Sequence, residues 1–358
     1  MKHLNRKQKL DVEEYLCECF PGLERPVCSE LKRFDRSLEP LSTQPGEVRA
    51  RMSRATARHI VSKARTIRSL WYVLDCKGAR PTALLGNENA DRIIRAVQKI
   101  RAGWSDEDSK QCSLSFHAAG SDSSTMQRVR SLLCDKLAIS EDKDGGNLRI
   151  RVVRATADQS GWEVLVRLTP SQLGDRAWKV HNYRGAIHPT IAAALLRTVR
   201  ISPSEPVLNL CSGSGTLLLE LADQHANWWG CGVDNSEDAN RYARDHLRKA
   251  KLLKQISILR ADAQSLPFRD QSFSLVMADV PWGEALSSRK KMGKTGQGWL
   301  REMLRVLKLE GRMLLISQDR DLWTRLFREE GFPQEAIVEH RFFQGGFKPS
   351  AFLIERSR

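Results

Sequence analysis

Apolar positions along the chain change their spacing from region to region, and each spacing predicts a different kind of element. After the Pro21-Gly22 turn in "CECFPGLERPVCSELKRF", Leu23, Val27 and Leu31 recur at helical intervals and predict an amphipathic helix. "GEVRARMS" and "SLWYVLD" read as strands, and "NADRIIRAVQKIRAG" reads as a helix stopped by Gly103. A second region has the order strand "CSLSFHAA", helix "SSTMQRVRSLLCDKLAI", strand "NLRIRVVRA" and strand "GWEVLVRLT", with "EDKDGGN" as a turn. There Leu148, Ile150 and Val152 alternate with Arg149, Arg151 and Val153, which predicts a sheet with one covered and one charged face. From about residue 185 the apolar runs become continuous. "EPVLNLCSGSGT", "WWGCGVDN", "QISILRADA", "FSLVMADVPWG" and "GRMLLIS" are five strand candidates with helical segments between them, the pattern of a parallel sheet covered by helices on both sides. The expected domains are 1–104, 105–180 and 181–358, and the expected fold class is α/β with a Rossmann-like C-terminal domain.

A chain of 358 residues accommodates two or three domains, each with its own core. Its formal net charge is +15, and residues 51–100 alone hold eleven Lys and Arg against three Asp and Glu. Clustered excess of this kind marks a polyanionic partner, most often nucleic acid; a solvated basic helix face is the alternative. The eight cysteines form no CxxC pair and stand at no zinc-binding spacing with histidine, so they are expected to be reduced thiols of a cytoplasmic protein without a metal. Cys17 and Cys19 fit alternation in a strand or a helix start better than a redox pair. No apolar run reaches the ~20 residues of a membrane span, and "MKHLNRKQKLDVEEYL" lacks a signal peptide's apolar centre. The expectation is a soluble, unexported protein.

Candidate chemistry sits at the ends of the continuous strands. "VLNLCSGSGTLLLEL" runs from a buried strand through Ser212, Gly213, Ser214 and Gly215 into a helix, where glycines admit a close ligand and the helix N-terminus offers unpaired N–H groups. Leu218 occupies the place where a dinucleotide fingerprint requires glycine or alanine, which counts against NAD and FAD. By itself the turn is equally compatible with no ligand. The second strand ends in Asp234, twenty-one residues after Gly213, where a carboxylate can accept hydrogen bonds from two ribose hydroxyls at once. The third leads to Asp262 and the fourth ends in Asp279, so acids close three neighbouring strands on one edge and point to a nucleoside-like ligand.

In this order, the Gly-rich turn, the two further acids and "DVPW" resemble a class I S-adenosylmethionine-dependent methyltransferase, and more narrowly the THUMP-domain RNA guanine-N2 methyltransferases. "CFPGLERPVCSEL" is similar to that family's N-terminal ferredoxin-like opening, "GAIHPTIAAALL" to the segment leading into its catalytic domain, and "QGGFKPSAFLIER" to its closing strand. The resemblance implies a ferredoxin-like domain over 1–104, a THUMP-like RNA-binding domain over 105–180 and the methyltransferase domain beyond. It also implies that Gly213, Ser214 and Gly215 line the methionine part of S-adenosylmethionine, that Asp234 holds the ribose, and that Asp262 with the Ala263 backbone binds adenine. Asn209, Ser212, Thr216 and Asn235 belong to the same implied cofactor set, and Asp279, Val280, Pro281 and Trp282 to the guanine site. The family's usual acid is replaced by Asn209, and its usual proline and Phe or Tyr by Val280 and Trp282.

The activity the resemblance implies is methylation of the guanine exocyclic amine in RNA, in the acceptor stem of tRNA. A ribosomal-RNA guanine or adenine-N6 methyltransferase is the enzymatic alternative, and a non-catalytic RNA-binding protein the other. "SSRKKMGKTGQG", residues 287–298, reads either as a phosphate-contacting mobile loop or as an ordinary exposed one. His188 reads as a capping or packing histidine ahead of a helix that Pro189 starts.

Overall fold

Alternation in the first half of the chain resolves into one mixed sheet of eight strands. The computed structural model describes residues 12–155, 160–201, 204–225, 228–281 and 289–356, the last stretch with side chains from 293. It divides into two units, one formed by the chain up to Cys19 with Val27–Leu173, the other by Phe20–Pro26 with the chain from Gly174 onward.

In chain order the first half carries β1 (Val12–Glu18), α1 (Glu24–Phe34), β2 (Pro40–Gln44), β3 (Glu47–Ser53), α2 (Arg54–Lys63) and β4 (Ser69–Cys76). There follow α3 (Asn87–Arg101), α4 (Asp106–Lys110), β5 (Ser113–Ala118), α5 (Ser124–Leu137), β6 (Ser140–Glu141), β7 (Leu148–Arg154) and β8 (Trp162–Arg167). The sheet order is β2-β3-β1-β4-β8-β7-β5-β6, with the two pairs made by β5 parallel and the rest antiparallel. Residues 104 and 105, at the expected first boundary, lie between α3 and α4, while β4 pairs with β8 in the one sheet. Helix starts are set locally: Ser53 Oγ accepts from Thr56 N (3.1 Å) at α2, and Ser105 Oγ from Asp108 N (3.1 Å) at α4. Val27 and Leu31 pack with Tyr15, Cys17, Val48 and Ile60 in one core cluster. Leu148, Ile150 and Val152 join Leu114, Val129 and Leu133 in another, as their period-2 spacing predicts. Cys17 lies inside β1 and its thiol is pushed well above its ordinary pKa by burial, which makes it inert packing.

The charged face expected of β8 is closed instead. Glu163 and Arg167 are each 3% exposed. Glu163 Oε2 accepts from Arg49 (2.6 Å), and Arg167 donates to the carbonyls of Thr169 (2.8 Å) and Asn147 (3.2 Å). With its charges matched, this face also buries Leu16, Trp71, Val73 and Leu165 as a small apolar cluster.

The second unit contains α6 (Pro189–Leu196), β9 (Pro206–Leu210), α7 (Thr216–Gln224), β10 (Trp229–Asp234), α8 (Glu237–Ala250), β11 (Ile256–Arg260) and β12 (Phe273–Asp279). It continues through α9 (Arg289–Val306), β13 (Leu307–Ser317), α10 (Arg320–Glu329), β14 (Ile337–Arg341) and β15 (Ser350–Glu355). Strand order is β11-β10-β9-β12-β13-β15-β14; the first five run parallel and the last two antiparallel to their neighbours. Leu195, Leu218 and Leu247, from α6, α7 and α8, cover one face, and Leu300, Met303, Leu322 and Phe327, from α9 and α10, cover the other. This explains why the central strands are apolar without alternation. It is the expected Rossmann-like arrangement, with β14 as an edge strand that the sequence left unmarked.

From residue 289 onward the basic stretch read as a loop is helix α9, and residues 287 and 288 lie outside the described residues. Its glycines serve contact: a Cβ on Gly296 would stand 3.3 Å from Leu326 Cδ1 and 3.7 Å from Trp323 Cζ2, so α9 approaches α10 closely there. Among the described residues no helix is long and apolar enough to cross a membrane, and no group of His, Cys, Asp and Glu could hold a metal ion.

Candidate active site

Parallel register carries three carboxylates to one edge of the sheet. Asp234 ends β10 beside Arg260, the last residue of β11, and Asp262 follows two residues later. Ala261 N donates to Asp234 O (3.3 Å), which ties the two strand ends together. On the other side of β9, Ala278 pairs with Leu210, so Asp279 ends β12 next to the turn that begins at Cys211. Burial first, and then the charges of Asp234, Asp279 and Asp262, push the Cys211 thiol well above its ordinary pKa. Like charges so gathered repel, and a ligand offering positive charge or several donors relieves that repulsion.

The Gly-rich turn is held from behind and from below. Cys211 has φ +48°, Gly213 φ +53° and Gly215 φ +84°, left-handed geometry that glycine adopts without a Cβ clash. Gly215 caps α7, and Thr216 is its first residue. Gly213 N donates to Asp234 Oδ2 (2.9 Å) and Ser236 N to Asp234 Oδ1 (2.9 Å), so the carboxylate joins the first turn to the second strand. Each of its oxygens keeps a further lone pair. Ser212 and Ser214 are buried. Asn209 is 1% exposed inside β9, and in the orientation that satisfies its amide, Oδ1 accepts from Ser212 Oγ (3.2 Å) while Nδ2 donates to the carbonyls of Met277 and Leu210 (3.3 Å each). Its direct contact is therefore with the turn.

Among the remaining candidates, Asn235 is exposed and its carbonyl accepts from Arg260 Nε (3.1 Å). Asp262 is exposed, with Oδ1 accepting from Gln264 N (2.8 Å), and Ala263 is half-buried. Val280 is 1% exposed and its N–H donates to Ile316 O (3.1 Å), which extends the ladder past Asp279 and fixes that peptide plane. Pro281 is exposed, and Trp282 lies outside the described residues. His188 caps α6, its Nδ1 accepting from Thr190 N (3.3 Å), and packs on Phe20 at 4.9 Å, the capping and packing role its position suggests.

Sequence reasoning missed an aromatic segment laid over the turn. The edge of the Tyr183 ring lies where a Cβ on Gly213 would stand 3.3 Å from Cε1. Burial raises the Tyr183 pKa, and the nearby Asp234 charge adds to it while a hydrogen bond with Ser236 opposes it. His246 fixes this segment: its Nδ1 faces Ser214 O (3.0 Å) and its Nε2 accepts from His181 N (3.0 Å). Burial holds the His246 pKa below its usual value, so the ring is neutral with the proton on Nδ1. His181 stacks on Tyr242 at 4.6 Å and engages Asp245 Oδ2 at 2.9 Å. A histidine thirty-two residues after the glycine turn carries no local signal for such a bridge; only the fold brings it there.

Known proteins resemble this chain in sequence and fold. Residues 176–346 match the family described as UPF0020, RMKL-like, methyltransferase domain. The U6 snRNA (guanine-N(2))-methyltransferase THUMPD2 of Mus musculus is 34% identical over 134 residues, 37% of this chain and 25% of the mouse protein. A tRNA (guanine(6)-N2)-methyltransferase of Thermus thermophilus is 29% identical over 214 residues, 59% of this chain and 62% of that protein. The crystal structure of TrmN from Thermus thermophilus aligns over 96% of this chain and 99% of its own, with a TM-score of 0.71 and 24% identity. The chain thus spans about a quarter of the mouse relative's length and shares its fold with TrmN throughout. The mixed sheet of the second unit, five parallel strands with two antiparallel ones at one side, is the setting in which residues 176–346 match the RMKL-like methyltransferase domain model.

Proposed function

We propose that the protein transfers a methyl group from S-adenosylmethionine to the exocyclic N2 of guanine in RNA, with tRNA as the first substrate to test. The observation that carries this reading is the alignment of Asp234, Asp262 and Asp279 on one edge of parallel strands beside a left-handed glycine turn. Bound there, S-adenosylmethionine supplies a sulfonium methyl open to in-line displacement. The residues fit it: Gly213 and Gly215 hold the left-handed turn, and Asp234 keeps lone pairs for two ribose hydroxyls beyond its two backbone bonds. Asp262 and the Ala263 backbone serve the adenine, and Tyr183 walls the pocket above Gly213.

The guanine amine is a weak nucleophile because its lone pair is delocalised into the ring. Asp279 and the Val280 carbonyl accept its two N–H bonds and so turn that lone pair toward the methyl. Pro281 fixes the chain direction after this grip, and Trp282 stacks on the base. A paired guanine must first leave the duplex, at a cost of roughly a few kcal/mol. Cations of the basic N-terminal unit, read as ferredoxin-like and THUMP-like, offset that cost through phosphate contacts. The reading places the protein in the cytoplasm.

Relatives named for tRNA and for U6 snRNA make the polymer the open variable. Full-length protein is incubated with labelled cofactor and unmodified tRNA, U6 snRNA or ribosomal RNA, and the RNA is digested to nucleosides. Label in N2-methylguanosine is the expected result; label only in methyladenosine, or nowhere, overturns it. Calorimetry supplies a companion prediction: Asp234→Ala weakens S-adenosylmethionine binding by at least about tenfold, because a carboxylate that fixes Gly213 and receives the ribose is lost. Unchanged affinity would place the donor elsewhere.

A further inference from the structure

The link between β14 and β15 is a short, rigid hairpin with two exposed phenylalanines. Gln344 N donates to Phe347 O (3.1 Å) and Phe347 N to Gln344 O (2.9 Å), closing a two-residue turn over Gly345 and Gly346, both at positive φ. The Gln344 side chain anchors it, accepting from His188 N (3.3 Å) and donating to Ala186 O (3.3 Å). Phe342 is fully buried beneath the hairpin, and Phe343 N donates to Pro21 O (3.1 Å). Yet Phe343 and Phe347 are each 45% exposed. Two large apolar rings half-exposed on one short hairpin form a candidate contact surface.

Its place in the sheet says what it meets. Asp279 pairs with Ile316, and Ser317 pairs with Ser350, the first residue after the hairpin. The hairpin therefore rises from the same edge as Asp279, two strands away, or about 10 Å at the usual strand spacing. That is roughly three base steps along a nucleic-acid strand. The segment Arg341–Pro349 carries Arg341 and Lys348 and no acid, the Lys348 ammonium lies 5.2 Å from the centre of the Phe343 ring, and Arg184 is exposed just before Ala186. Aromatic faces among cations suit bases joined by phosphates.

We propose that the 342–349 hairpin is a nucleobase-stacking element: Phe343 and Phe347 hold bases of the RNA strand a few nucleotides from the target guanine. The proposal rests on the RNA-methyltransferase reading and adds to it how the substrate strand is kept open beside the flipped base. Phe343→Ser and Phe347→Ser are expected to lower kcat/KM for RNA by about tenfold or more, with S-adenosylmethionine affinity within twofold of the parent. Tyrosine at either position restores activity and leucine does not, which separates stacking from apolar packing. An equal loss of cofactor affinity, full activity of the serine variants, or rescue by leucine overturns the proposal. Loss of a dimer on substitution, seen by light scattering, would give the surface to a second copy of the chain and overturn it also. Ultraviolet crosslinking of bound RNA to the unaltered full-length protein reads the contact without catalysis: a crosslinked peptide spanning 342–348 supports it, and crosslinks only elsewhere refute it. If the unaltered protein methylates no RNA, the parent reading fails by itself, while the crosslink still reports on the hairpin.

Discussion

Asp279→Ala is expected to lower turnover by about a hundredfold or more while leaving S-adenosylmethionine affinity within twofold. Asp279 ends β12 and the Val280 N–H that follows donates to Ile316 O, so the substitution removes the carboxylate acceptor while the ladder beside it stays intact. An amine gripped by a single acceptor rotates, and its lone pair spends little time in line with the methyl. Asp279→Asn should not rescue the loss, since an amide that swings its NH2 toward the base sets donor against donor. Single-turnover kinetics with saturating cofactor, alongside calorimetry, separates this from damage to the donor pocket. Parallel loss of cofactor affinity would mean that Asp279 belongs to the Asp234 side of the site.

Continuous apolar runs closed by Asp234 and Asp279 were legible because a parallel sheet buries both faces and leaves polar chemistry only to the strand ends. Leu148, Ile150 and Val152 were legible for the opposite reason, a strict alternation. What escaped depends on partners distant in sequence. Glu163 reads as solvent-facing until Arg49, 114 residues earlier, is placed against it. Tyr183, His181 and His246 acquire their relation to Gly213 and Ser214 only once α8 is packed beside the turn. Gly293, Gly296 and Gly298 argue for a loop by intrinsic propensity, and close packing of Gly296 on α10 overrides that preference. β14 is short and none of its residues is buried, so "IVEHR" has neither a continuous apolar run nor a clean alternation.

The frame around the acids has a common physical basis. The acids mark the edge proposed for the ligand, and neutral groups hold the backbone around them: Asn209 behind Ser212, His246 under Ser214 and Val280 in the ladder. Their residue types occur everywhere in proteins, and their value lies in which backbone atom each one meets. Sequence reading therefore finds the charges of such a site before it finds the frame that holds them.

Arg176→Met is expected to cost about 3–5 kcal/mol of stability, lowering the melting temperature of the second unit by about 6–20 °C. Arg176 Nε donates to Glu220 Oε1 (2.8 Å) and its NH2 group to Oε2 (3.2 Å), with the side chains 4% and 0% exposed. The fork pins the segment that carries Trp178, His181 and Tyr183 onto α7, directly behind the glycine turn. Removing the guanidinium alone takes the paired charge from a buried carboxylate; removing both partners removes that carboxylate as well. Arg176→Met with Glu220→Leu should therefore recover most of the lost stability, and a double-mutant cycle by thermal and urea unfolding of the full chain measures the coupling. If the double variant is no more stable than Arg176→Met, the cost lies in packing of the arginine stem instead of the orphaned charge.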